Sequence, residues 1–211
     1  LSKQLENLIL STAYFPPISY FRLLACYDIA YIEMCENYIK QTYRNRCVIH
    51  SSNGPLPLSV PVERGSFHKV QIRDLKIDYS KNWQRLHLRA LDAGYQSSAF
   101  YEFYIDEIRE IILKNHTYLV DLNGELLIFI NQAIGIEPEI RNTESFVSSY
   151  HNSNDMRYNF SPKVGKASIE KRMDNYFQVF AQENGFLSDL SIIDLLFNLG
   201  SESYGYIKKK G

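Results

Sequence analysis

The chain has 211 residues, 45% of them hydrophobic and 14% aromatic, enough apolar side chain to bury one real core and to exclude a disordered chain. Lys plus Arg number 23 against 24 for Asp plus Glu, a formal net charge of −1, so no global field draws in nucleic acid or anionic lipid and any anion binding must be local. Three cysteines, Cys26, Cys35 and Cys47, show no CxxC spacing, which argues for reduced thiols and a cytoplasmic protein rather than a disulfide framework.

The chain opens at Leu1 with no basic run leading into an apolar leader, and its longest apolar stretch, ELLIFINQAIGI at 125–136, is too short to span a bilayer. Residues 7–12, NLILST, read as a short buried strand. AYFPPISYFRLLACYD then reads as a tight loop leading into a helix, with Pro17 in the first helical turn and Phe21, Leu24 and Ala25 on its apolar face. AYIEM at 30–34 is a second strand. Strand, loop, helix and strand within about thirty residues open an α/β unit whose loop lies at the carboxyl edge of the sheet.

A hairpin follows, with a strand at 46–50, Asn53-Gly54 as the turn and a second strand at 56–62. Leu56, Leu58, Val60 and Val62 alternate toward the core, while Pro55, Pro57 and Pro61 fall on the other parity and mark an edge strand closing one side of the sheet. VQIRDLKIDY at 70–79 fits a further strand with a bulge at Arg73-Asp74. From Lys81 the period becomes helical: Trp83, Leu86, His87, Ala90 and Leu91 share a face and Gly94 is the expected stop. Helices at about 98–113, with Phe100, Phe103, Tyr104, Ile108 and Ile111 inward, and from Asp121 to Ile134, stopped by Gly135, complete a helical half. Residues 141–175, poor in Leu, Ile and Val, read as a long functional or mobile loop. YFQVF at 176–180 reads as a late strand and Ser191 to Leu199 as a last helix, with Ser191 and Asp194 approximating a capping box, Gly200 beyond it, and Lys208 to Lys210 as a solvated tail. The expected fold is α/β: a small Rossmann-like or mixed sheet with an edge β-hairpin, followed by a mainly helical half, in one domain over 1–211. Its α/β part covers about 1–80 and 176–200 and its helical part about 81–135.

No dinucleotide fingerprint, P-loop or nucleophile elbow is present, so no cofactor is assigned. His50, His68, His87, His116 and His151 are dispersed without metal-ligand spacing, so no metal is assigned either. The strongest local signal is ENYIKQTYRNRC at 36–47, which packs Asn37, Tyr38, Lys40, Gln41, Tyr43, Arg44, Asn45 and Arg46 into twelve positions. Guanidinium forks and carboxamides suit an anionic, oxygen-rich small molecule; the alternative is a solvated face. Glu36 neutralises Arg44 or Lys40, or serves as a base. His87, four residues after Trp83, is a core histidine with a satisfied hydrogen bond or a general base. Cys35 and Cys47 are inert buried thiols or nucleophiles beside cations. The AYFPPISYF segment is similar in layout to the HxGH-type nucleotidylyltransferases, but both of their histidines are absent, with Ile18, Ser19 and Tyr20 in that neighbourhood. Only the helix N-terminus remains there to hold an anion.

Together YFPPISYF at 14–21, ENYIKQTYRNRC at 36–47, LSVPV at 58–62, IRDLKIDYSKNWQRLHLRAL at 72–91 and LSIIDLLFNLG at 190–200 resemble the WbqC-like protein family, in the compact form common among Bacteroidetes. The resemblance implies a setting in O-antigen or related surface-polysaccharide biosynthesis and, for some members, transfer of glycine or another amino acid to a sugar. It implies an aminoacyl or acyl transferase on a nucleotide-linked amino sugar but supplies no catalytic residues; donor chemistry makes Tyr14, Tyr20, Asn37, Lys40, Gln41, Tyr43, Arg44, Asn45 and Arg46 the ligand-binding residues, and His87 or Glu36 the base. The other readings are a non-catalytic nucleotide-sugar or glycan-binding protein of a biosynthetic complex and a diverged nucleotidylyltransferase relative. The oligomeric state is open. The resemblance matches least well between about 141 and 175.

Overall fold

The computed structural model describes residues 7–63, 70–150, 153–162 and 173–209. His68, His151, Lys210 and the middle of the expected 141–175 loop lie outside the described residues.

Asn7–Ser11 forms strand β1, Ile18–Leu24 helix α1 and Ile29–Glu33 strand β2, with Leu8 paired to Ala30 and Leu10 to Ile32 in parallel. Leu8, Leu10, Ala30 and Ile32 are buried on one face, the period-2 pattern a strand imposes, and α1 buries Tyr20, Phe21 and Leu24 in the same core. Pro17 is the N-cap rather than a first-turn residue: its backbone is extended, and its carbonyl accepts from Tyr20 N at 3.0 Å.

Arg46–Ser51 (β3) and Gly54–Ser59 (β4) make the hairpin, and because Ser51 pairs with Gly54 the turn is Ser52-Asn53, one residue earlier than the Asn53-Gly54 expected. Gly54 supplies the positive φ of 93°. The hairpin is a separate two-stranded sheet and does not close the side of the larger one. Pro55 and Pro57 point outward as expected, and a strand that cannot donate there is a poor template for further pairing. Residues 70–79 are not a strand. Ile72–Asp74 is a single 3-10 turn flanked by isolated bridges Asn37–Gln71, Val62–Ile77 and Lys76–Tyr118, so the slip at Arg73-Asp74 is a turn and not a bulge.

Three helices follow: Trp83–Tyr95 (α2), Tyr101–Leu113 (α3) and Leu119–Ile134 (α4). Leu86 and Phe103 are 62% and 71% exposed, and the buried stripes run instead through Trp83, His87, Leu88 and Leu91 on α2 and Tyr101, Ile105, Ile108 and Ile112 on α3. Gly94 does not stop α2 but lies inside it, where a Cβ would come within 2.9 Å of the His50 carbonyl; its absence lets α2 lie against β3. Gly135 does end α4, in the left-handed conformation at φ 82°.

Glu139–Asn142 (β5) and Ser153–Asp155 (β6) are strands within or at the border of the expected loop, and they complete an all-parallel sheet in the order β5-β2-β1-β6. Residues 176–180 carry no strand. Their Tyr176 and Gln178 side chains, with Tyr95, donate hydrogen bonds to Asp194, a fully buried carboxylate whose pKa burial pushes up to about 6. Ala181–Asn184 (α5), Ile192–Leu199 (α6) and, after a 3-10 turn, Ser203–Lys208 (α7) end the chain. Ser191 Oγ caps α6 by accepting from Ile193 N at 3.4 Å, whereas Asp194 turns inward instead of completing a capping box. The fold is mixed α/β, a parallel four-stranded sheet plus an antiparallel hairpin, with a helical C-terminal half. No described helix is long and apolar enough to cross a membrane.

Candidate functional site

Parallel sheets gather ligand sites outside the carboxyl ends of their strands. Here those ends deliver Thr12 from β1, Glu33 to Glu36 from β2, Thr143 from β5 and Asp155 to Arg157 from β6. On the Tyr31 side of the sheet, Glu33 accepts from Arg157 Nη1 at 2.8 Å, Cys35 N at 2.7 Å and Thr143 Oγ1 at 2.8 Å. Arg157 also donates Nε and Nη2 to the two Asp155 oxygens at 2.8 and 2.6 Å. Arg44 donates Nε and Nη2 to Glu36 at 2.7 Å each, and its Nη2 reaches the Arg157 carbonyl at 3.4 Å. Arg44 and Glu36 are each 2% exposed, so each is the other's compensation for desolvation. Burial raises the Glu36 pKa against the pull of Arg44, and the Arg157 hydrogen bond lowers that of Asp155.

On the other side, between α4 and the Ile32 face, lies a pocket of about 470 Å³. Thr12, Tyr20 and Met34 line it from the sheet side, and His116, Asn123 and Gly124 from the helical side. Asn123 donates Nδ2 to Thr12 Oγ1 at 3.1 Å and to the Arg44 carbonyl at 2.8 Å, and its buried Oδ1 has no partner among the described residues. A buried carboxamide oxygen with no donor is costly unless a ligand or solvent supplies one. Gly124 faces open space, with no described atom within 4 Å of an added Cβ. His116 Nε2 lies 3.3 Å from Glu125 Oε2 without the alignment of a hydrogen bond, and Glu125 also takes Lys114 Nζ at 2.8 Å. The pocket thus offers an acceptor, a hydroxyl and an imidazole beside a carboxylate, a set suited to a polyhydroxylated or amino ligand. Among the described residues no three His, Cys, Asp or Glu side chains converge to hold a metal.

The residues singled out in the sequence are placed differently from one another. Tyr20 lines this pocket and donates its hydroxyl to the Ser11 carbonyl at 3.1 Å. Tyr14 is fully buried and its hydroxyl shares a hydrogen bond with His87 Nδ1 at 2.9 Å; burial lowers the His87 pKa to about 4, so its imidazole is neutral at pH 7. Asn37 bridges Gln71 through the main chain, Asn45 Nδ2 holds the Val60 carbonyl at 2.8 Å, and Arg46 Nε donates to Ser59 Oγ at 3.1 Å across the hairpin. Lys40 and Gln41 sit on an exposed turn, Gln41 at φ 60°, and Tyr43 lines a different cavity of about 420 Å³ beside Asp189. The structure therefore joins Glu36 to Arg44 and Tyr14 to His87 but does not gather the segment around one cavity. The N-terminus of α1 is occupied as well: Asp189 accepts from Ser19 N and Ser19 Oγ at 2.8 Å each, so the place where a nucleotide phosphate would sit in the nucleotidylyltransferase-like reading already holds a carboxylate. Asn123 and His116 were not anticipated as site residues. The signal for Asn123 was a carboxamide amid Leu119, Leu122, Leu126 and Ile130 on the apolar face of α4.

The model of the WbqC-like protein family matches residues 12–176, a span that contains Thr12, Tyr20, His116, Asn123 and the whole Glu33–Arg157 network. A protein of Mycobacterium tuberculosis described as uncharacterized, Rv1507c, is 30% identical over 227 residues, covering 95% of this chain and 96% of its own. No solved structure matches. With the family model spanning β2, β5 and β6 of the sheet, the hairpin and the helices that enclose the pocket, the chain belongs to the WbqC-like protein family.

Proposed function

We propose that this protein is an enzyme of bacterial surface-polysaccharide biosynthesis, an aminoacyl or acyl transferase whose nucleotide-linked amino sugar enters the carboxyl-edge pocket. Membership of the WbqC-like family supports the polysaccharide setting. The observation that carries the site is the orphaned Asn123 Oδ1, buried in a pocket at the carboxyl edge of a parallel sheet. A sugar hydroxyl or amine donates to it, with Thr12 and Tyr20 as further partners. His116 takes the role first sought in His87 and Glu36: it accepts the proton released as the sugar amine attacks the carbonyl carbon of an activated acyl donor. The new C–N bond forms as the bond to the donor's leaving group breaks. Glu125 Oε2 lies 3.3 Å from Nε2 of the His116 ring. A second reading, a non-catalytic nucleotide-sugar or glycan-binding protein, is favoured by the engagement of both Glu36 and His87 in internal hydrogen bonds.

Thermal shift with UDP-glucosamine, UDP and glycine, on the native chain and on Gly124→Leu, tests the site. The leucine projects into the open pocket from a helix position where nothing blocks its Cβ, so folding persists while the ligand is displaced. A shift with UDP-glucosamine that Gly124→Leu abolishes is expected. No shift, or one indifferent to the substitution, rejects the pocket. Binding without N-acylated product from UDP-glucosamine and a glycyl thioester selects the second reading.

A further inference from the structure

The parallel sheet has a second face, and it is only partly covered. Register places Ile9, Tyr31 and Arg141 side by side across β1, β2 and β5, on the parity opposite to Leu8, Ala30 and Ile140. The segment after β5 crosses this face and leaves a groove of about 820 Å³, lined by Ile9, Tyr31, Arg141 and Asn142 from the sheet and Val147 and Tyr150 from the crossing segment. That volume is within the range of small-molecule sites, roughly 300–1,000 Å³. Asn142, the last residue of β5, lines this groove and the carboxyl-edge pocket alike, so the two cavities meet around the end of an edge strand.

The chemistry of the groove selects its ligand. Two tyrosines with Ile9 and Val147 provide apolar surface, while Asn142, Thr143 and Ser145 rim it with amide and hydroxyl groups. Its cations are already compensated: Arg141 donates Nε to Glu139 at 2.7 Å and Nη1 to the Tyr31 hydroxyl at 3.2 Å. Arg157, 5.0 Å from the Tyr150 ring, is held by Glu33 and Asp155. Glu144 adds a negative charge to the lining. Four carboxylates, Glu33, Asp155, Glu139 and Glu144, surround the two cations Arg141 and Arg157, and this negative excess disfavours a phosphate or carboxylate ligand, whereas a neutral molecule with apolar faces and a hydroxylated rim satisfies both kinds of surface. We infer that this groove is a binding site for a neutral saccharide, laid against Tyr31 and Tyr150 and directed by Asn142 toward the mouth of the pocket. The inference extends the proposed function, since it adds a separate saccharide site on one face of the sheet to the pocket proposed for the nucleotide-linked amino sugar on the other, and to that extent it rests on that reading.

Calorimetric titration of the full chain with maltotriose, triacetylchitotriose and UDP, on the native protein and on Tyr31→Ala, Tyr31→Phe and Gly124→Leu, tests it. Saturable binding of one or both trisaccharides is expected, weakened about tenfold by Tyr31→Ala through loss of the ring, largely kept by Tyr31→Phe and by Gly124→Leu, and not displaced by UDP. Binding by neither trisaccharide overturns the inference, as does binding indifferent to Tyr31→Ala. Trisaccharide binding lost in Gly124→Leu but kept in Tyr31→Ala overturns the groove while supporting the pocket. Loss of UDP-glucosamine binding in Gly124→Leu with trisaccharide binding intact supports both sites. If Tyr31→Ala fails to fold, displacement of the saccharide by Asn142→Trp, which fills the junction, gives the same reading.

Discussion

The Glu36–Arg44 pair allows a sharp test of whether the basic segment at 36–47 is machinery or scaffold. Both side chains are 2% exposed, and the guanidinium makes two hydrogen bonds of 2.7 Å to the carboxylate. Arg44→Met leaves Glu36 buried with no counter-charge, and Glu36→Leu does the same to Arg44; each single replacement should cost about 3–5 kcal/mol. Replacing both puts two apolar side chains of similar length in the same space, and the desolvation penalty disappears along with the attraction. The double variant should lie within about 1–2 kcal/mol of the native protein, giving a coupling of at least ~3 kcal/mol. The Arg44 backbone carbonyl that holds Asn123 is retained in every variant, so the pocket should stay intact. Urea unfolding, with midpoints compared at a common m-value, reads these differences. Single costs below about 1 kcal/mol, or singles that simply add in the double variant, would refute the argument that the pair is scaffold. Loss of UDP-glucosamine binding in a well-folded double variant would return Arg44 to the ligand.

Three further outcomes follow from buried groups and close approaches. Asp194 has a folded pKa raised to about 6 against about 3.9 unfolded, so the folded state holds the extra proton between those values. Its contribution is full below about pH 4 and is lost as pH rises through about 6, at most about 3 kcal/mol, and Asp194→Asn should flatten the melting temperature between pH 4 and 7. His87 works in the opposite direction: its pKa falls to about 4, so stability present above about pH 6.5 is lost as pH drops toward 4, and His87→Gln should shrink that acid-side slope in the same titration. Alanine at two helical glycines should act with opposite sign. Gly124→Ala gains up to about 1 kcal/mol of helix propensity in open space, whereas Gly94→Ala loses about 1–3 kcal/mol because its Cβ meets the His50 carbonyl at 2.9 Å, and chemical denaturation distinguishes them.

Local periodicity made part of this molecule legible. The alternation of Leu8 and Leu10, the prolines confined to one parity of β4, and the apolar face of α4 closed by Gly135 depend on neighbours a few residues away, and each predicts its element. Where a helix face was misjudged, at Leu86 and Phe103, the same period admits a rotated stripe, and only the neighbouring helices select one. β5 and β6 are four and three residues long and polar in composition; they are strands because β2 and β1 offer unpaired edges, and no local pattern announces that. YFQVF at 176–180 shows the converse: it has strand composition but pairs with no described strand, and it spends Tyr176 and Gln178 on Asp194.

The site divides in the same way. The family resemblance, the α/β opening and the local concentration of donors at 36–47 are properties of residue order and are legible in it. Which donors are already spent depends on packing: Glu36 closes on Arg44, Tyr14 on His87, and Asp189, far away in the chain, fills the N-terminus of α1. Packing also leaves Asn123 at the carboxyl edge with an acceptor that no described residue satisfies. Burial makes every polar group find a partner or wait for one, and partners are set by three-dimensional proximity, which a linear spacing does not contain.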